Sequence, residues 1–234
     1  MAEVSEANIS RRTRELFDKG LVAMERNNLP YAMDMFMAVL EIEPRFLKCR
    51  KFLRATSIKF INDTKKAGKV FHIIATLSGL PALVSGKLVL RAGDALRALN
   101  IAEKLLRTDP LNMTFIRLLC GAARKADMSE VAIHTLNIVR EYYQQDVVLL
   151  YNLGNLYMEV NQPDEARKCF ESIITLRPND AKALQALKNA MARDTMIKGG
   201  WDEASKEGGG YRKVIKDVDE AAVLEADSKA VKDE

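Results

Sequence analysis

The sequence predicts an all-α fold built from a linear series of antiparallel helix pairs. Three observations carry that prediction. First, the 234 residues contain only six prolines and twelve glycines, while Ala and Leu together make up roughly a quarter of the chain. That balance favours helix over strand and leaves too few turn residues for a β-sandwich or barrel. Second, 48% of residues are hydrophobic and 29% charged, the balance of a folded soluble chain and not of a disordered one. Third, one pattern of apolar and small residues returns every 34 residues, and a period of that length marks a repeat architecture.

The pattern is plainest over 147–180: Leu150, Leu153, Gly154, Tyr157, Ala166, Phe170 and Pro178. Counting Val147 as one, they occupy positions 4, 7, 8, 11, 20, 24 and 32. One period earlier, 113–146 has Ile116, Leu119, Cys120, Ala123, Ala132, Leu136 and Gln144. One more step back, 79–112 has Ala82, Ser85, Gly86, Val89, Ala98, Ala102 and Pro110. A fourth copy spans 13–46, with Leu16, Lys19, Gly20, Ala23, Ala32, Phe36 and Pro44. Small residues at positions 8 and 20 let two helices approach closely, and larger apolar groups at 4, 7, 11 and 24 fill the space around the contact. Asn27-Asn28, Gly93-Asp94, Asp127 and Asn161-Gln162 supply the turn inside each pair. Pro30 and Pro163 suit the first turn of a second helix, where a missing N–H costs little. Pro44, Pro110 and Pro178 end the second helices.

These residue types at these seven offsets resemble the tetratricopeptide repeat (TPR). The resemblance implies a TPR-type α-solenoid, a right-handed superhelix of helix pairs. Residues 47–78 fill one further period. They are expected to form a degenerate helical repeat, with helices near 47–61 and 70–77, although Arg54 stands at the position where a small residue belongs. Residues 181–196 continue as an Ala-rich capping helix that closes the core of the array. Residues 1–12 form a polar N-terminal arm. Residues 197–234 form an acidic tail with Gly199-Gly200 and Gly208-Gly209-Gly210 around Trp201 and before Tyr211. Glycines beside a lone Trp suit a flexible segment that docks, so Trp201 and Tyr211 are the candidate docking residues.

Function is expected to be non-catalytic. The chain has only two histidines, His72 and His134, and its cysteines, Cys49, Cys120 and Cys169, stand far apart without CxxC spacing. A His-built metal centre is thereby disfavoured, and no phosphate-binding glycine loop, nucleophile elbow or cofactor motif is present. The odd, scattered thiols fit buried packing groups in a reducing, cytoplasmic setting, and Met1 to Arg14 lacks the apolar run of a signal peptide.

The TPR resemblance implies a concave face lined by positions 2, 5, 6, 9 and 12 of each first helix, the surface on which TPR arrays take peptides or partner helices. Those positions hold Leu80, Leu83, Val84, Lys87 and Leu90. The next copy gives Thr114, Arg117, Leu118, Gly121 and Arg124, and the last gives Val148, Tyr151, Asn152, Asn155 and Met158. The groove candidates are Lys87, Arg117, Arg124, Tyr151, Asn152 and Asn155. Arg clamps carboxylates bidentately, and Asn pairs with the backbone of an extended chain. The Lys and Asn set of chaperone-binding TPR domains is only partly present, because Gly121 stands where a polar group is needed. The expected role is an adaptor or scaffold for a protein or peptide partner.

Two alternatives use other segments. Residues 45–69 hold nine bases against one acid, and 70–86 are free of charge. Together they suit a peripheral membrane or assembly factor. The tail, with ten acids against six bases from Asp202 on, suits autoinhibition of the groove. Nucleic acid is disfavoured by the net charge of +4 and by the lack of stacking aromatics among the bases. His134 is expected at the surface, and His72 in the core with its polar atoms satisfied.

Overall fold

A computed structural model describes residues 8–64 and 68–198. The described residues form ten α-helices and no strand. The helices are α1 (Arg11–Glu25), α2 (Leu29–Ile42), α3 (Leu47–Asp63), α4 (Lys69–Arg91), α5 (Ala95–Thr108), α6 (Met113–Lys125), α7 (Ser129–Tyr142), α8 (Val147–Glu159), α9 (Pro163–Leu176) and α10 (Ala181–Lys198). The chain divides into two compact units, Met1–Leu149 and Leu150–Glu234.

The 34-residue period is written into the backbone. Gly93, Asp127 and Asn161 each have a left-handed φ, at +96°, +54° and +60°, and Asn27 takes +58° at the same place in the first helix pair. One left-handed residue ends the first helix and reverses the chain, which is why Gly, Asn and Asp occupy these positions. Two of the second helices are then capped by side chains. Asn28 Oδ1 accepts from Tyr31 N, and Asp94 Oδ1 accepts from Arg97 N at 3.0 Å. The first turn of α9 has Pro163 instead.

In the first unit, α1 packs on α2 and α2 on α3. Their core is aromatic. The Phe17 ring lies 5.7 Å from Phe36, 5.0 Å from Phe46 and 5.6 Å from Phe52. Close approach depends on Gly20, where a Cβ would come within 2.5 Å of the Phe36 ring. The pairs α4/α5 and α6/α7 stack beside one another through α5/α6 and α4/α6 contacts. Ala98, Ala102, Ile116, Leu119, Ala123 and Ala132 are fully buried there.

Residues 47–78 do not form the expected degenerate pair. The two predicted helices at 70–77 and from 79 onward are one unbroken helix, α4, of 23 residues with Pro81 inside it. Gly79 is no break. It lets α4 seat on its neighbours, since a Cβ there would come within 2.8 Å of Leu105 and 2.9 Å of Phe115. The N-terminal extension of α4 is pinned by polar contacts. His72 Nδ1 lies 2.7 Å from Asp109 Oδ2, and Asn112 Nδ2 donates to Thr76 Oγ1 at 2.8 Å and to the His72 carbonyl at 3.2 Å. His72 is thus half-buried and paired.

α3 therefore pairs not with α4 but with α2, and it also packs on α5 and α7. Its basic character has a structural use. Arg50 Nη1 meets Glu103 Oε1 at 2.7 Å and Arg54 Nη2 meets Glu103 Oε2 at 2.9 Å, all three residues being buried. Arg50 also donates twice to the Pro44 carbonyl, and Arg45 donates to the Ala126 carbonyl at 3.2 Å. The basic segment 45–69 therefore does not present all its cations to solvent. Arg54 occupies the small-residue position because α5 offers it a carboxylate there. His134, expected at the surface, is half-buried. Burial and the nearby Lys51 and Arg54 charges hold its pKa below the usual histidine value.

The second unit packs α10 against α9. Gly154 faces the Phe170 ring, which a Cβ would approach to 2.7 Å. α10 extends the capping helix predicted at 181–196 to Lys198 and buries Ala183 and Ala190, while Leu184 and Met191 remain exposed. Arg193 Nε donates to Asn161 Oδ1 at 2.9 Å, tying α10 to the left-handed turn. Trp201, Tyr211 and the rest of the tail, like the first residues of the N-terminal arm, lie outside the described residues.

Candidate functional site

The groove candidates fall into two sets, one in each unit. In the first unit, α4 presents Lys87 and α6 presents Arg117 and Arg124, all exposed. The two helices pack together, and Lys125 Nζ donates to the Leu90 carbonyl at 3.1 Å across their C-terminal ends. Neither helix contains an Asp or Glu. Facing bases without interspersed acids give a positive surface that favours carboxylates. Two further positions expected on this face are not on it. Leu83 and Leu118 are buried, at 4% and 3% exposure. Leu118 is held down by Gly86, where a Cβ would come within 2.7 Å of its side chain.

In the second unit, Asn152 and Asn155 are exposed on one face of α8, three residues apart. Tyr151 has a structural attachment. Its hydroxyl donates to Asp180 Oδ1 at 2.7 Å, and its ring lies 6.3 Å from that of Phe170. Asp180 in turn accepts from the Lys182 and Ala183 amides at 3.1 Å, capping α10. Burial, then the Asp180 carboxylate, pushes the Tyr151 hydroxyl up to about 12. The same contacts hold the Asp180 carboxyl below its ordinary range. Tyr151 thus offers a fixed ring edge more than a free hydroxyl.

Among the described residues no group of three or more His, Cys, Asp or Glu is placed to hold a metal ion. Cys49 and Cys169 are buried and Cys120 half-buried. Burial pushes the Cys49 thiol well up and the Cys120 thiol up to about 12, so both stay protonated and unreactive near neutral pH. One feature escaped the sequence reading: α4 has an exposed apolar face in addition to its buried one. Val70, Ile73, Ile74, Leu77, Val84 and Leu88 are each 49% to 70% exposed. The charge-free run had signalled its apolarity but not which side was covered.

Comparison with known proteins agrees with the repeat read at 147–180. Residues 147–180 match the family model of the tetratricopeptide repeat. The chain thus contains a tetratricopeptide repeat, formed by α8 and α9. A segment of 49 residues is 45% identical to the TPR repeat-containing protein MJ0941 of Methanocaldococcus jannaschii, and it covers 21% of this chain but only 14% of that protein. Among solved structures, MamA is 19% identical over 89% of this chain and 92% of its own, with a TM-score of 0.42. YrrB, described as a TPR protein with an unusual peptide-binding site, is 15% identical over 74% of this chain and 90% of its own, also with a TM-score of 0.42.

Proposed function

We propose that this chain is a non-catalytic protein-interaction module, an adaptor or scaffold, and that the α4–α6 face of its first unit takes an acidic peptide segment. One observation carries the reading: two packed helices expose Lys87, Arg117 and Arg124 and contain no acid. Guanidinium groups bind carboxylates through paired, charge-assisted hydrogen bonds. In the second unit Asn152 and Asn155 supply amides able to donate to a peptide carbonyl and accept from a peptide N–H.

The test is binding of arrayed acidic, neutral and basic peptides to the full chain, followed by salt titration of the acidic binders. Acidic peptides are expected to bind with a steep loss between 50 and 300 mM salt, as roughly a Debye length of 10 Å at 0.1 M implies for exposed charges. Arg117→Ala/Arg124→Ala is expected to weaken capture at least about tenfold, and Asn152→Ala/Asn155→Ala to weaken it with folding intact. Capture that ignores both double substitutions sinks the assignment.

A further inference from the structure

The first turns of α4 make a cleft that the other helix pairs lack. α6 and α8 begin on the 34-residue register, at Met113 and Val147, whereas α4 begins at Lys69, well ahead of Gly79. The extra turns lie beside the junction of α5 and α6, and the space between them is a cleft of about 350 Å³. Ile73 and Leu77 of α4, Leu111 and Met113 of the junction, and the Tyr143 ring give it apolar walls. No Lys, Arg, Asp or Glu lines it.

One polar wall is built around a buried carboxylate. The Asp109 side chain is 1% exposed, and its Oδ2 lies 2.7 Å from His72 Nδ1 and accepts from Asn112 Nδ2 at 3.0 Å. Its other oxygen, Oδ1, is buried without a partner. Asn112 and Thr76 are bonded to each other and to the His72 carbonyl. A carboxylate only accepts, so Nδ1 carries the hydrogen of its contact with Asp109, and in the neutral ring Nε2 is left as an acceptor. His72 itself lines the cleft, and its Nδ1 edge is turned to Asp109, so the edge it gives the cleft bears Nε2. Among the described residues Nε2 has no partner. The negative charge behind the ring strengthens that acceptor.

We propose that this cleft receives one aromatic side chain carrying a hydrogen-bond donor, tryptophan or tyrosine, presented by a partner protein. The ring lies between the apolar walls and its N–H or O–H donates to His72 Nε2. This rests on the reading of the chain as an interaction module and adds a second, separate site to it. An apolar cavity of about 150 Å³ takes benzene, so this cleft has room for a bicyclic ring. The polar wall selects among occupants. An acidic side chain would bring a second negative charge towards Asp109, with no cation lining the cleft to receive it. A Lys or Arg head would give up its hydration for one uncharged nitrogen, because the carboxylate is sealed behind His72. An aliphatic side chain or an acyl chain fills the walls but leaves Nε2 desolvated and unpaired.

The experiment titrates the ¹⁵N-labelled full chain with N-acetyltryptophanamide, its 1-methyl analogue, in which the indole N–H is blocked, and N-acetylleucinamide. N-acetyltryptophanamide is expected to bind with an affinity on the order of 1 mM, as suits a ligand of this size, and to shift the amide signals of Ile73, Leu77 and Met113. The other two are expected to bind about tenfold more weakly, the effect of one unmade hydrogen bond. His72→Phe is expected to erase the difference between the indole and its 1-methyl analogue. Ile73 and Leu77 are exposed, so Ile73→Ser/Leu77→Ser is expected to keep the circular dichroism of the parent and to weaken both indoles alike. Arg117→Ala/Arg124→Ala is expected to leave this binding unchanged, so failure of the acidic-peptide reading and failure of this one are told apart. Equal binding of the two indoles, N-acetylleucinamide binding as tightly as the indole, or no saturable shift at the cleft would overturn the proposal. Tighter binding of the added ligand after Trp201→Phe/Tyr211→Phe would overturn it in favour of the chain's own aromatic residues as the occupant.

Discussion

Replacing Glu103 by Ala should unseat α3 from α5. Glu103 is 2% exposed and its two oxygens meet Arg50 at 2.7 Å and Arg54 at 2.9 Å. The guanidiniums are themselves buried, at 4% and 3% exposure. Arg54 depends on this carboxylate most. Its Nε and Nη1 have no partner, and burial lowers its pKa while Glu103 raises it. Removing one partner from a buried ion pair costs about 3–5 kcal/mol, because the charge left behind stays desolvated. The pair's own worth against an apolar replacement is far smaller, so Arg50→Leu/Arg54→Met/Glu103→Met is expected to fall within about 2 kcal/mol of the parent. For a unit near 150 residues, 3–5 kcal/mol corresponds to a fall of roughly 10 °C in the first transition. The assay is thermal and urea unfolding followed by far-UV circular dichroism, with the two units fitted separately. A Glu103→Ala protein within 0.5 kcal/mol of the parent would refute the reasoning, since it would mean that water reaches the arginines. So would a triple variant that is less stable than the single one.

Two smaller perturbations probe other links. Gly154→Ala places a Cβ 2.7 Å from the Phe170 ring and is expected to destabilise the second unit by about 1–3 kcal/mol through overpacking; a neutral result by urea titration would show that the ring can step aside freely. His134 has a folded-state pKa below its unfolded value. Its neutral form is therefore favoured on folding, the contribution is full above about pH 6.5, and it is lost as pH falls. The parent is expected to lose more stability than His134→Gln between pH 7 and pH 5, and parallel stability curves would remove the assigned role.

Much of the fold was legible in the residues because its determinants are local. A turn that needs a left-handed residue selects Gly, Asn or Asp, so Asn27, Gly93, Asp127 and Asn161 announced the hairpins. A helix that must touch its neighbour closely selects Gly or Ala, so Gly20, Gly86, Gly154 and the alanines at position 20 announced the contacts. The same logic misread α4. Ser78-Gly79 and Pro81 look like punctuation, but Gly79 serves a close approach to Leu105 and Phe115, and Pro81 lies inside α4 on its exposed side. Of the candidate site, the exposure of Lys87, Arg117 and Arg124 agrees with what the tetratricopeptide resemblance implied, whereas the engagement of Tyr151 by Asp180 depended on a residue 29 positions away.

By itself, then, the chain's pattern determined helix content, the 34-residue period and the turn positions, since each follows from steric limits acting within a turn or a hairpin. Only the tertiary structure decided where α3 goes. Arg50 and Arg54 read as a solvated basic stripe until Glu103, about fifty residues on, is brought beneath them. That pairing fixes α3 against α5, and among the described residues α4 keeps an exposed apolar face. Periodicity shows that a helix side is apolar; which side is buried depends on which neighbours arrive, and that is a property of long-range packing.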